Sequence, residues 1–416
     1  MDDNNKEVPQ EELKGKDSSD KQDVVDTLVV TKEVEDPNSK KNRTKTISYI
    51  IFLVAMTILV VTLFLSLGEI QQIGDAFINI TKGTNYVWLI VAFIVLIVHF
   101  ATYPLSLCLI GKRLGTKSKF SDLYLIGASE HFYNGITPFS VGGQPFQVYS
   151  IHKNGDTTSK ATGIVLGNFI VFLIAVNIFY AVSLIYYPRY VNNIDPSMNW
   201  FKYVCFIGYG FNFAFLGFVI SLGASKKLAN FLVKCMQLLC KIKWINKFLG
   251  NKIEDFRDYC DNVQKVIKEM WKHRKTVFFS VVIKFFSYLC SYSLPFFILK
   301  SIGIQVGWND FMLVTLGTVF ALSASVWVPT PGGTGGIEYA FKIVLLSLLG
   351  GSMFDAAIAG HASAVTLIWR LLNYYIVLIA SFICNGIFEG KFQHSLVKQI
   401  KQKRLEKNKN KDTENN

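Results

Sequence analysis

The sequence predicts an all-α, polytopic integral membrane protein with six to eight transmembrane helices. Three observations carry that prediction. The 416 residues are 51% hydrophobic and only 18% charged, with a positive mean hydropathy, whereas soluble domains hold about 25% charged residues. Several runs reach the roughly 20 apolar residues that cross a hydrocarbon core. A helix-breaking motif, T-P-x-x-x-G-G, occurs once in each half of the chain, at Thr137-Pro138 to Gly142-Gly143 and at Thr330-Pro331 to Gly335-Gly336.

Residues 1–46 are charged and polar, with few aromatic side chains, and read as a disordered cytoplasmic tail. The first apolar run lies too far from Met1 and is too long to be the core of a cleaved signal peptide. Spans are then expected at Ile47–Leu67, Val87–Ile110, Ala161–Tyr187, Tyr203–Leu222 and Val277–Leu299, followed by an apolar block from Phe311 to Phe388. This organises the membrane domain as residues 47–390, with halves 47–187 and 203–390, cytoplasmic amphipathic helices within 223–276, and a basic tail at 391–416.

The net charge of +13 is unevenly placed. Residues 223–276 hold 13 Lys or Arg against five acids, while the segments 68–86 and 188–202 are poor in both Lys and Arg. Lys40, Lys41, Arg43 and Lys45 precede the first span, and Lys398, Lys401, Lys403, Arg404 and Lys407 follow the last. Basic flanks stay on the cytoplasmic side, so both termini are expected in the cytoplasm and the number of crossings is even. This distribution explains the positive charge without a nucleic-acid partner. The seven cysteines fall in expected spans or cytoplasmic segments, which predicts reduced thiols, and no His–Cys spacing suggests a metal site.

Each T-P-x-x-x-G-G motif fits the tip of a re-entrant helix pair, one at about 120–152 and one at about 311–349. The two halves then repeat the same order of elements in opposite orientation, which is the inverted-repeat plan of many secondary transporters. A rival arrangement lets Phe311–Trp327 and Ile337–Leu349 cross separately, giving eight spans with the same parity. The last segment is too long for one straight span and is expected to tilt or break near Arg370.

Irregular backbone at membrane depth is tolerated where protein buries it or where it lines a wet cavity. Gly142, Gly143, Gly335 and Gly336 would leave backbone N–H groups bare at the start of a half-helix, a setting that attracts a phosphate-bearing headgroup. The competing reading is that these glycines only permit close helix packing. Arg370 is the strongest single candidate, because an intramembrane Arg faces a partner or a cavity. It either holds a lipid phosphate or pairs with Glu338 or a backbone carbonyl. Glu338 is either a ligand for a cationic headgroup or proton, or simply an acid at a helix N-terminus with Lys342 one turn on.

Glu130, His131 and His361 could couple to protons, against the plainer reading that neighbouring helices satisfy each of them. His99 reads as structural, and Lys284 as near enough to the end of its span to snorkel. Lys226–Leu249 places Leu228, Phe231, Leu232, Cys235, Leu238 and Leu239 on one helical face, with lysines mostly elsewhere. That describes a basic helix lying on an anionic leaflet or packing on the protein's own cytoplasmic loops. A second such helix follows, with Phe256, Val263, Ile267 and Met270.

TPFSVGGQPFQVYSIHKNG with the following SKATG, then VPTPGGTGGIEYAF, then LIWRLLNYY, resemble the lysylphosphatidylglycerol synthase transmembrane-region family. This is the flippase-like domain of the multiple peptide resistance factor, which also occurs as stand-alone proteins. The resemblance covers roughly residues 47–390. It implies a bacterial plasma-membrane protein that moves aminoacylated phospholipids, or polyprenyl-linked sugars, between leaflets, with membrane lipids as partners and no cofactor. In two respects the chain departs from the family. Only a Lys-rich tail follows Gly390, so synthesis of lysylphosphatidylglycerol by the family's soluble transferase domain is not expected. Neutral Gln144 stands where some relatives carry an acid.

Two functions from different classes follow. In the first, the chain is a lipid translocator with Thr137, Pro138, Gly142, Gly143 and Gln144 on one hairpin, and Thr330, Pro331, Gly335, Gly336 and Glu338 on the other, facing substrate together with Arg370. No G-x-x-x-x-G-K-[ST] loop is present, so energy would come from an ion or lipid gradient. In the second, it is a membrane scaffold docking a glycosyltransferase or lipid synthase through its tails. The absence of a catalytic constellation makes an enzyme the weaker reading.

Overall fold

The computed structural model describes residues 70–191, 196–240, 253–324, 328–350 and 356–392, together with residues 194 and 394. The first expected span and both tails, apart from residues 391, 392 and 394, lie outside these residues. The helices below belong to one compact unit, which ends at Glu389, apart from the last few residues of the final helix.

The protein is a multi-pass, all-α membrane protein. In chain order its helices are α1 Ile70–Ile80, α2 Asn85–Thr102, α3 Leu105–Arg113, α4 Phe120–Ile136, α5 Gly143–Lys153, α6 Thr158–Val191 and α7 Asn199–Ala224. Then follow α8 Lys226–Leu239, α9 Ile253–Lys272, α10 Arg274–Ser301, α11 Phe311–Ser323, α12 Gly336–Leu348 and α13 Ala356–Arg370. Among the described residues five segments are long and apolar enough to cross a bilayer: Asn85–Arg113, Thr158–Arg189, Asn199–Ala224, Arg274–Ser301 and Ile358–Phe392. Each overlaps a span expected from sequence.

The surface of these helices is inverted relative to a soluble protein. On α2, Ile90, Phe93, Ile94 and Ile97 are exposed while Ala92, Leu96 and His99 are buried. The exposed set recurs at helical spacing, so a continuous apolar stripe faces outward. Such a stripe is favourable only where the solvent is hydrocarbon. The bundle packs on α10, whose residues Cys290 to Leu299 are buried on every side, against α2, α6 and α11. Proline breaks the second span, which the sequence placed as one helix. Pro104 has no N–H to continue the ladder, so α2 ends at Thr102, capped by Tyr103, whose N–H bonds the His99 carbonyl at 2.9 Å, and α3 starts afresh.

Both motifs form helical hairpins within the expected boundaries. The arms α4 and α5 have 17 and 11 residues, and α11 and α12 have 13 each. At 1.5 Å per residue these arms reach about 16–26 Å, short of the ~30 Å hydrocarbon thickness. The final segment changes character at the expected place: a π-helical turn, Leu371–Ile376, follows Arg370 directly before α-helix resumes.

One reading needs correction. Lys284 does not snorkel; it is 1% exposed, because α10 runs through the middle of the bundle rather than along its rim. Ala229 and Val233 are buried where α8 packs on α9, Leu228 and Leu232 of the expected apolar face pack partly against the same cluster, and Phe231 and Leu238 are 60% and 58% exposed. Residues 241–249 of that expected helix lie outside the described set. The second amphipathic helix holds as expected, with Val263, Ile267 and Met270 buried.

Candidate functional site

The two T-P-x-x-x-G-G loops, far apart in sequence, meet in space. Pro138 and Pro331 pair in an isolated antiparallel β-bridge. The final helix ties this junction. Arg370 Nη2 donates to the Gly332 carbonyl at 2.7 Å and to Thr334 Oγ1 at 3.2 Å. Its Nε lies 2.7 Å from Glu338 Oε1, an ion pair whose side chains are only 4% and 9% exposed. Glu338 Oε2 in turn accepts the Gly335 N–H at 2.8 Å, the capping-box arrangement expected of an acid in the first helical turn. Tyr374, whose ring stacks 4.2 Å from the Arg370 guanidinium, reaches the other hairpin and donates to the Gly135 carbonyl at 3.0 Å.

The glycines work differently from the expectation of bare donors. The Gly142 N–H is taken by Thr137 Oγ1 at 2.9 Å, the Gly143 N–H by Asn134 Oδ1 at 2.8 Å, and the Gly335 N–H by Glu338. Thr330 Oγ1 donates to the Thr334 carbonyl within its own loop. Gly332 and Gly335 adopt φ of 59° and 90°, conformations that side chains rarely take. At Gly336 a Cβ would run into Val328. Phe139 and Ser140 also have positive φ, 55° each, which is unusual for non-glycine residues and marks this loop tip as constrained.

A cavity of about 980 Å³ opens beside the first hairpin, between α4, α5, α6 and α10. The loop residues Phe139, Ser140 and Val141 border it, as does Gln144, and its walls are mostly apolar. Its polar residues include Glu130, Gln147, Tyr103 and Lys284, all at least nine-tenths buried. Gln147 Nε2 donates to Glu130 Oε2 at 2.8 Å, and Lys284 Nζ donates to the Tyr103 carbonyl at 3.1 Å while sitting 3.6 Å over the Tyr103 ring. His131 packs against Tyr103 with ring centroids 4.0 Å apart, and His99 lies 5.6 Å beyond it, its Nδ1 bonded to Ser287 O at 2.8 Å.

The sequence-selected residues therefore fall into two groups. Thr330, Pro331, Gly335, Gly336, Glu338 and Arg370 surround the junction between hairpins, to which the first loop contributes Pro138. Glu130 and Gln144 line the cavity, Thr137, Gly142 and Gly143 shape the loop that borders it, and His131 stands behind its Tyr103 wall. His361, half-buried on α13, is not among the cavity-lining residues. Sequence reasoning did not single out Gln147 and Tyr374, although both lie within the quoted stretches TPFSVGGQPFQVYSIHKNG and LIWRLLNYY, nor Tyr103 and Tyr288, which lie in no motif. It named Lys284 but misplaced it, although a lysine within an apolar run is itself a signal.

The sequence matches the family described as "Lysylphosphatidylglycerol synthase TM region" over residues 46–381. It is also 22% identical over 356 residues to a protein of Mycoplasma pneumoniae described as "Uncharacterized protein MG306 homolog", covering 81% of this chain and 86% of that one.

Proposed function

The chain belongs to the lysylphosphatidylglycerol synthase TM-region family, and from that premise we propose that it translocates a lipid across the bacterial plasma membrane. The substrate is an anionic or aminoacylated phospholipid or a polyprenyl-phosphate-linked precursor. The observation that carries this reading is the 980 Å³ cavity, whose apolar walls suit acyl or prenyl chains and whose buried Glu130, Gln147 and Lys284 suit a charged headgroup. On this reading both termini are cytoplasmic and the hairpins are re-entrant, which the short arms α5, α11 and α12, of 11, 13 and 13 residues, support. Gln144 and the loop of residues 139–141 face the substrate. Arg370, Glu338 and Tyr374 hold the second loop against the first, a contact that must loosen for the headgroup to pass.

Reconstitution into proteoliposomes tests this. Labelled phosphatidylglycerol, an aminoacyl-phosphatidylglycerol and a polyprenyl phosphate are compared for movement between leaflets, with protein-free vesicles as the baseline. The expected result is faster movement of at least one of them, and slower movement with Lys284→Met, which removes the cavity's buried cation, reconstituted in folded form. No movement of any of the three, from folded parent protein, would favour a scaffold for an envelope synthase.

A further inference from the structure

Lys284 is a cation buried in the wall of a membrane cavity, and among the described residues it makes no ion pair. Its one hydrogen-bond acceptor is a neutral carbonyl, Tyr103 O. The carboxylate that compensates it through space is Glu130, which is itself held by the Gln147 amide. Every element around Glu130 is accounted for. Tyr103 faces it from the α2–α3 corner and Tyr288 from α10, both within its field. Cys108 on α3 interacts with Lys284. Next to Glu130 in the chain stands His131, whose Nε2 is buried without a partner, with His99 behind it. From α5 come neutral Gln147, Tyr149 and His152, whose Nδ1 donates to the Asp156 carbonyl; α6 contributes neutral Asn168 and α9 contributes Tyr259 to the lining.

The balance of this cluster is one cation against one carboxylate in a medium that penalises net charge. An anionic ligand in the same cavity upsets that balance by one negative charge. The least costly remedy is a proton on the carboxylate, since the ligand then faces Lys284 with Glu130 neutral and still bonded to Gln147. Binding and protonation are linked reciprocally, so each strengthens the other. We propose that Glu130 is a proton-binding site coupled to anion binding in this cavity, so that an anionic lipid is taken up together with a proton. The inference rests on the cavity being the substrate site, as proposed above.

Its test does not require lipid movement. Phosphatidylglycerol in mixed micelles is added to the purified full-length chain in weakly buffered detergent solution, and proton uptake is read with an indicator dye; diacylglycerol micelles are the uncharged control. The expected result is uptake of about one proton per chain with phosphatidylglycerol and none with diacylglycerol. Glu130→Gln removes the acceptor and abolishes uptake. Lys284→Met removes the buried cation that the anionic headgroup would face, and abolishes uptake from the opposite side. Inorganic phosphate producing the same uptake would assign the site to a free anion rather than a lipid headgroup, leaving the proton linkage standing and removing the lipid from it. No uptake by the folded parent, or unchanged uptake in both variants, overturns the proposal. The translocation assay stands apart: movement of phosphatidylglycerol at a rate indifferent to an imposed pH gradient would keep the translocator and remove the coupling.

Discussion

At the scale of single residues, Arg370 and Glu338 determine each other's energetics. Each is buried, and losing one member of such a pair strands the other charge, at a cost of about 3–5 kcal/mol, whereas replacing both costs far less. Arg370→Ala is therefore expected to lower unfolding stability in detergent by that amount. Arg370→Met combined with Glu338→Gln, which retains an acceptor for the Gly335 N–H, should recover more than half of the loss. Equal destabilisation by the single and the double variant, in denaturant unfolding curves, would mean the two side chains are not coupled. The sequence offered Arg370 either a lipid phosphate or a structural partner in Glu338 or a backbone carbonyl. The structure gives it both structural partners, because Arg370 reaches Glu338 and the Gly332 carbonyl once α12 has folded back onto α13.

At the scale of elements, helix contacts discriminate between glycines that look alike in sequence. Gly208 and Gly210 lie two positions apart on α7. A Cβ on Gly208 would collide with the Ser323 carbonyl oxygen at the end of α11, while Gly210 meets nothing within 4 Å. Gly208→Ala should destabilise by about 1–3 kcal/mol through overpacking. Gly210→Ala should be neutral or stabilising by up to about 1 kcal/mol, since alanine favours the helix. Melting of the two variants in detergent micelles decides this; the same sign for both would contradict the α7–α11 contact. Helix positions were readable from hydrophobic runs, and the hairpins from their Pro and Gly. The break at Pro104 was overlooked because the run around it is apolar throughout.

At the scale of the whole molecule, the junction of the two motifs is the principal tertiary fact. Residues opposite each other in an antiparallel bridge lie about 4.5–5.5 Å apart at Cα, within the range a disulfide spans. Pro138→Cys with Pro331→Cys, in a background lacking the seven native cysteines, should crosslink under mild oxidation. On the translocator reading the crosslinked protein should move lipid at least several-fold more slowly, with recovery on reduction. Failure to crosslink would refute the junction itself. Crosslinking with undiminished movement would keep the junction and remove its role as a contact that opens.

The sequence by itself determined that the chain is an all-α membrane protein, where the five described spans lie, that two hairpins interrupt them, and which family it joins. These properties are local: apolar run length against bilayer thickness, and backbone chemistry at Pro and Gly, act within a few residues of one another. Only the tertiary structure decided that the glycine N–H groups are capped by Thr137, Asn134 and Glu338, that the two loops touch at Pro138 and Pro331, and that Lys284 faces Glu130 across a cavity. Those facts depend on side chains far apart in the chain, and in a bilayer every helix already satisfies its own backbone. What remains to choose the arrangement is packing between small residues and the pairing of a few buried polar groups, and neither leaves a period in the sequence.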